Sequence, residues 1–240
     1  NLSELEPYIN GPFTPDAAYT LTEFGKAVIE KGYPRMFEVG LIGSCTNSSY
    51  EDLTRAASIV MQAKENNIKV KSQFIINPGS EQVRYTAERD GLLAEFESVG
   101  AVIMANACGP CIGQWRRESG ETDRPNSILT SFNRNFAKRN DGNPNTHTFI
   151  SSPEVVAALT IAGDLCFNPL TDTLVNDKGE KIKLQEPVGF ELPPKGYDVK
   201  DPGYQAPSGN AGTMVISIAT DSNRLQLLEP FPAWDGKDLI

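Results

Sequence analysis

The sequence predicts an α/β fold: a largely parallel sheet with helices on both faces. Three observations carry this reading. Short apolar runs suited to strands alternate with segments of helical periodicity. The helical segments open on capping residues and close on glycine. Three of the strand-like runs end in polar or cysteine-bearing loops. The first helix begins at the capping-box pattern Thr20-x-x-Glu23, carries Phe24, Ala27 and Val28 as an apolar stripe, and stops at Gly32 and Pro34. Met36 to Ile42 reads as a strand, with Phe37, Val39 and Leu41 on one face, and runs into Gly43-Ser44-Cys45-Thr46-Asn47. Ser48-x-x-Glu51 opens the next helix, with Leu53, Ala56, Ala57, Val60 and Ala63 at helical spacing. Val70 to Ile76 is a strand closed by Asn77-Pro78-Gly79, and Ser80 starts a helical stretch broken at Gly91. A short helix then reaches Gly100. Ala101 to Ala105 is a buried strand leading into Cys108-Gly109-Pro110-Cys111. Ser127 to Thr130 is a strand followed by Asn133-Arg134-Asn135, and Thr146 to Ile150 is a further strand. Ser151, Ser152 and Pro153 open a last helix that Gly163 ends.

Beyond Cys166 the pattern is lost: Pro169 to Ile240 holds 8 of the 17 prolines, with turn signals at Asp177-Lys178-Gly179, Pro193-Pro194 and Asp201-Pro202-Gly203. Only Thr213 to Ala219 and Leu225 to Leu228 read as strand-like or packed. The expected organisation is an α/β domain over residues 1–200, irregular from about 169, and an extended linker over 201–240. Its Glu229-Pro230-Phe231 and Trp234-Asp235-Gly236 are expected to hug another surface.

Composition narrows the function. With 22 basic and 31 acidic residues, the net charge of −9 argues against nucleic-acid binding by bulk positive charge. No apolar run approaches the roughly 20 residues of a membrane-spanning helix. The chain starts at Asn1 without a signal-like segment and reads as an internal piece of something longer. A single histidine, His147, means that chemistry needing several must borrow them from elsewhere.

Four cysteines are too few for a disulfide scaffold. Cys108-x-x-Cys111 alone fits a redox pair, half a zinc site or half an iron–sulfur site. Zinc would draw its fourth ligand from Cys166 or His147, and no second close pair exists. Three thiolates, Cys45, Cys108 and Cys111, suit a cubane cluster with one iron left open, and spacing favours that reading while leaving the others standing. Gly109 and Pro110 are expected to bend and stiffen the loop around a bulky inorganic core. Cys166 reads as a small buried hydrophobe, His147 as structural and Trp115 as packing.

The flanking residues resemble a known family. Val39-Gly40-Leu41-Ile42-Gly43-Ser44-Cys45-Thr46-Asn47-Ser48 and the segment from Gly100 through Ala107-Cys108-Gly109-Pro110-Cys111-Ile112-Gly113 look like the two cysteine signatures of the aconitase family. Ser131-Phe132-Asn133-Arg134-Asn135-Phe136, with Arg139 beyond, matches the family's Asn-Arg-Asn-Phe segment. Arg224-Leu225-Gln226-Leu227-Leu228-Glu229-Pro230-Phe231 and Trp234-Asp235-Gly236-Lys237-Asp238 are similar to the mitochondrial type. The resemblance implies a third domain and the linker toward a fourth. It further implies a 4Fe–4S cluster held by Cys45, Cys108 and Cys111, with its fourth iron open to substrate, since a fourth thiolate would close that position. It assigns substrate-carboxylate contacts to Arg134 and Arg139, and cluster or substrate contact to Asn133. These two arginines lie in a stretch from Arg124 to Arg139 with four basic residues and no acidic one.

The implied reaction is hydro-lyase interconversion of citrate and isocitrate through cis-aconitate, in the tricarboxylic acid cycle of the mitochondrial matrix. The serine base and the histidine–acid pairs belong to domains absent from this chain. No catalytic residue is therefore expected here, and the isolated chain is expected to be inactive. Ser44 is expected to donate a hydrogen bond to cluster sulfur. Two alternatives are an isopropylmalate or homoaconitate isomerase of the same superfamily, and a non-enzymatic metal or RNA-regulatory module. The acidic charge and the Ser48-Ser49-Tyr50 continuation speak against the last.

Overall fold

A computed structural model describes residues 1, 4–117, 124–199, 206, 207, 209, 211–213, 215–226 and 228–237. By internal contacts the chain divides into two compact units, Asn1–Asp201 and Pro202–Ile240.

The first unit is built on a seven-stranded sheet in the order β2-β1-β7-β6-β3-β4-β5. The strands are β1 (Tyr8–Asn10), β2 (Ala18–Thr20), β3 (Val39–Ile42), β4 (Gln73–Ile76), β5 (Val102–Ile103), β6 (Asn126–Thr130) and β7 (Thr146–Ile150). From β5 to β7 the five neighbours are parallel, and β1 and β2 extend the sheet as an antiparallel edge. The edge hairpin escapes the sequence reading because its three-residue strands are too short to show a period.

Five helices follow their sequence signals closely. In α1 (Leu21–Glu30), Thr20 and Glu23 form the expected capping box. For α2 (Tyr50–Glu65) the cap is one residue later than Ser48-x-x-Glu51 implies: Ser49 Oγ accepts from Asp52 N, and Asp52 closes the box. Ser48 is instead drawn inward, its hydroxyl donating to Ser44 O (2.7 Å) and Asn77 O (2.9 Å). Helices α3 (Glu81–Arg89) and α4 (Leu92–Ser98) are separated by Gly91 at φ +80. Gly163, at φ +67, ends α5 (Pro153–Ala162).

Strand order explains how the two faces are covered. From β3 the chain moves to β4 and β5 on one side, then returns to β6 and β7 on the other. Right-handed crossovers taken in opposite directions put their connections on opposite faces. The helices pack on one face, where Phe24, Phe74, Phe96 and Phe149 join the α2 and α5 residues in the larger core. Burying each such side chain contributes roughly 1.5–3 kcal/mol. The second face buries Val39, Leu41, Ile75, Ile128 and Phe132 in a smaller cluster flanked by Met104, Cys111 and Trp115. Among the described residues, helical cover there reduces to the 3₁₀ turn Pro110–Ile112. Gly40 shows how close α5 lies: a Cβ there would meet Thr160 Oγ1 at 1.7 Å.

After Gly163 the chain is less irregular than its prolines suggest. A small hairpin, β8 (Leu174–Val175) with β9 (Lys181–Ile182), forms around the Asp177-Lys178-Gly179 turn. Beyond it, backbone N–H groups of Gln185, Val188 and Phe190 donate to Gln62 Oε1, Ser58 Oγ and Thr54 Oγ1, each one turn apart on α2. The extended segment is thus laced along that helix.

In the second unit the described residues contain one 3₁₀ turn, Ala211–Thr213, and no strand. The strand-like reading of Thr213 to Ala219 is therefore corrected for residues 215–219, while Met214 lies outside the described residues. Leu225 and Leu228 are exposed rather than packed. Leu227 and the Asp201-Pro202-Gly203 turn also fall outside the described residues. Trp234 Nε1 donates to Lys237 O at 2.7 Å, closing a local turn.

Candidate functional site

In open α/β sheets, sites form beyond the carboxyl ends of the strands where the direction of strand progression reverses. That reversal lies between β3 and β6. The loops leaving β3, β4, β5 and β6 meet there and are tied to one another. Ser131, one residue past β6, donates to Gly43 O (3.1 Å) and accepts from Gly43 N (2.9 Å). Asn47 Nδ2 donates to Ser131 O at 2.6 Å, joining the Cys45 loop to the Asn133 loop. Ser48 links the Cys45 loop to Asn77 O at the end of β4. Asn77 Nδ2 donates to Ala107 O at 2.8 Å, and Asn140 Nδ2 to Pro110 O at 3.0 Å. The loops that carry Cys45 and Cys108–Cys111 are thereby joined to each other and to the loop that follows β6.

All four cysteines are free, with Cys45 and Cys108 exposed and Cys111 half-buried against the smaller core. The Cys108-x-x-Cys111 turn is closed by Ile112 N donating to Cys108 O at 3.0 Å. Gly109, expected to supply the bend, sits at φ −39 in the ordinary right-handed region. In the two loops that carry Cys45, Cys108 and Cys111, the left-handed residues are Gly113 (φ +81) and Ser44 (φ +78). Gly113 needs both freedoms of glycine: a Cβ there would meet Lys138 O at 3.2 Å and Arg139 O at 3.3 Å. Ser44 is strained for a residue with a side chain. Its hydroxyl oxygen accepts from Thr46 N and Asn47 N, both at 3.2 Å, which holds the turn leading away from Cys45.

Asn133 and Arg134 are exposed, and Arg134 Nη1 donates to Asn133 O at 3.0 Å. Asn135 is buried, its amide donating to Asn10 Oδ1 and Thr14 O, so it fastens the loop to the β1 side. Arg139 lies 5.3 Å over the Phe136 ring, with Nε buried and unpartnered among the described residues. The basic stretch from Arg124 to Arg139 thus divides. Arg124 is ion-paired with Glu38, as is Arg117, which also bonds Asp141. Neither Arg134 nor Arg139 has an acidic partner among the described residues.

The remaining chemical residues make packing contacts and hydrogen bonds away from these loops or against the smaller core. His147 packs on Phe13 (4.8 Å) and Tyr33 (5.8 Å), and its Nδ1 meets Asn145 O at 3.3 Å. Burial pushes the Cys166 thiol up, and its Sγ donates to Gly25 O. Trp115 lies against the smaller core, with Arg117 5.9 Å over its ring.

No group of three or more His, Cys, Asp or Glu among the described residues is arranged to hold a metal ion. The residue types themselves fit a thiophilic metal: three free thiols on loops that are hydrogen-bonded to one another. Sequence reading named these thiols and arginines but missed Asn77 and Asn140 as loop ties. The available signal for Asn77 was its place directly after an apolar strand run.

The fold is an α/β domain with free thiols on the loops beyond the carboxyl ends of its parallel strands. Residues 1–163 match the aconitase family (aconitate hydratase). The chain belongs to the aconitase family. It is 57% identical over 238 residues to the mitochondrial aconitate hydratase of Gracilaria gracilis, covering 99% of this chain and 31% of that protein. The probable mitochondrial aconitate hydratase of Dictyostelium discoideum is 55% identical over 240 residues, again 31% of its length. That of Saccharomyces cerevisiae is 52% identical over 238 residues. The chain therefore spans about a third of the length of these relatives.

Proposed function

We propose that this chain is the cluster-bearing part of a mitochondrial aconitate hydratase, which interconverts citrate and isocitrate through cis-aconitate. The supporting observation is the joining of the Cys45, Cys108–Cys111 and Asn133–Arg139 loops beyond the carboxyl ends of the strands by buried and part-buried hydrogen bonds. Cys45, Cys108 and Cys111 would hold a 4Fe–4S cluster. When bound, the cluster supplies a Lewis-acidic corner that makes hydroxide a better leaving group.

The chain's own residues bind and orient. A tricarboxylate needs cationic forks, and Arg134 and Arg139 of the Asn133–Arg139 loop have no acidic partner among the described residues. Guanidinium groups grip carboxylates through paired N–H donors and so fix orientation as well as charge. Asn133, exposed beside Arg134, offers an uncharged donor to the same ligand. The proton-transferring groups are assigned to parts of the protein outside this sequence, and residues 201–240 to a linker running over a neighbouring domain. Phe231 and Trp234, largely exposed, are its natural contacts.

The experiment is anaerobic purification with iron and sulfide analysis, followed by turnover of citrate and of isopropylmalate by the native protein. Iron with acid-labile sulfide, and preference for citrate, supports the reading. Zinc without sulfide, or preference for isopropylmalate, overturns it. Isolated residues 1–240 are expected to show negligible hydratase activity.

A further inference from the structure

We infer that Asn77 and Asn140 are the positioning residues of the Cys108–Cys111 turn, each clamping the carbonyl group immediately before a cysteine. Asn77 Nδ2 donates to Ala107 O at 2.8 Å and Asn140 Nδ2 to Pro110 O at 3.0 Å. The inference rests on the metal-site reading above for its purpose, though not for its geometry.

A peptide plane is rigid, so the Ala107 carbonyl and the Cys108 N–H move as one body. Fixing that carbonyl fixes the N–Cα bond of Cys108 and leaves only rotation about φ to aim its Cα–Cβ bond. Pro110 O does the same for Cys111. The two clamps come from different elements, one from the end of β4 and one from the loop between β6 and β7. The turn's other backbone hydrogen bonds among the described residues, Ile112 N to Cys108 O and Gly109 O and Gln114 N to Gly109 O, are internal and cannot orient it against the sheet.

Both asparagines are nearly fully buried, at 3% and 1% exposure. In each, Oδ1 has no partner among the described residues while Nδ2 is used. A buried unpartnered oxygen is unfavourable, so the positions are poorly explained by stability alone. The donor half of each amide is the part that serves the loop.

The test uses the native protein with the substitutions Asn77→Leu and Asn140→Leu. Asn77→Ser and Asn140→Ser stand in should the larger changes prevent folding. Ser72→Ala is the control: it removes a buried hydroxyl bond, to Phe37 O at 2.7 Å, away from the cysteine loops. Iodoacetamide alkylation of the metal-free protein is followed cysteine by cysteine, alongside iron and sulfide content and melting temperature.

The expected result is selective. The Asn77 variants alkylate faster at Cys108 by about tenfold, and the Asn140 variants at Cys111, as loss of one buried hydrogen bond allows. Cys45 and Cys166 stay at their original rates, and the variants lose iron faster in air. Rates unchanged at Cys108 and Cys111 overturn the clamp. So does a rise at all four cysteines in step with the melting temperature, as a merely structural role gives. Absence of iron and sulfide from the unsubstituted protein overturns the metal reading instead, and leaves the alkylation pattern to decide the clamp by itself.

Discussion

Asp164 receives two hydrogen bonds from Arg35, at 2.8 and 2.6 Å, and a third from Cys166 N at 2.9 Å. Burial alone would raise its pKa, but these donors hold the carboxyl below its usual range. A carboxyl depressed in the folded state stabilises fully above its ordinary pKa of about 4, and that contribution is lost as pH falls through the folded value. Asp164→Asn is therefore expected to lower the melting temperature at pH 7 and to weaken its fall below about pH 4. Thermal melts across that range measure both. Burial favours the neutral thiol of Cys166. At pH 8 it is expected to alkylate well behind the exposed Cys45 and Cys108. Equal rates at all three would contradict the burial seen here.

Helix α2 shows how one residue of register separates two roles. Ser49 caps the helix, so Ser49→Ala is expected to cost about 1 kcal/mol, or roughly 2–4 °C in melting temperature for a domain of this size. Ser48 serves the loops, and Ser48→Ala is expected to add a loss of order around Cys45, read as faster alkylation there. At the β3–α5 contact, a methyl on Gly40 has no room beside Thr160. Gly40→Ala should destabilise by about 1–3 kcal/mol through overpacking, measured by denaturant unfolding. These elements also mark what was legible in the sequence. Helices with capping residues and apolar stripes, and the five parallel strands, could be read directly because their signals are local and periodic. The Ser48 and Ser49 hydroxyls are equally good caps on paper, and only the pull of Ser44 O and Asn77 O on Ser48 decides between them. The β1–β2 edge and the strap along α2 depend on distant partners, Ile150 and the row Thr54, Ser58 and Gln62, which no local pattern announces. In the site, Cys45, Cys108 and Cys111 were visible by residue type. Asn77 and Asn140 were not, because an asparagine after a strand looks like any turn.

At the scale of the molecule, strand order does most of the functional work. Because the chain reverses between β3 and β6, loops from opposite halves of the sequence share one edge, and buried amides and hydroxyls fasten them together. Against a net charge of −9, Arg134 and Arg139, which have no acidic partner among the described residues, are the groups to which the proposal gives the substrate carboxylates. Replacing Arg139 with Lys is expected to raise KM for citrate by about tenfold while leaving iron content unchanged, since a point charge cannot replace paired donors. Steady-state kinetics on the native protein, with iron analysis of the same sample, checks both halves. The most direct test asks whether the sulfurs of Cys45, Cys108 and Cys111 share one inorganic core. Iron and acid-labile sulfide should be measured in anaerobically prepared native protein and in four single Cys→Ser variants. Equal iron and sulfide in the parent, lost in the Cys45, Cys108 and Cys111 variants and kept in the Cys166 variant, is the predicted result. Sulfide-free zinc in the parent, or a cluster that survives loss of any of those three thiols, would contradict it.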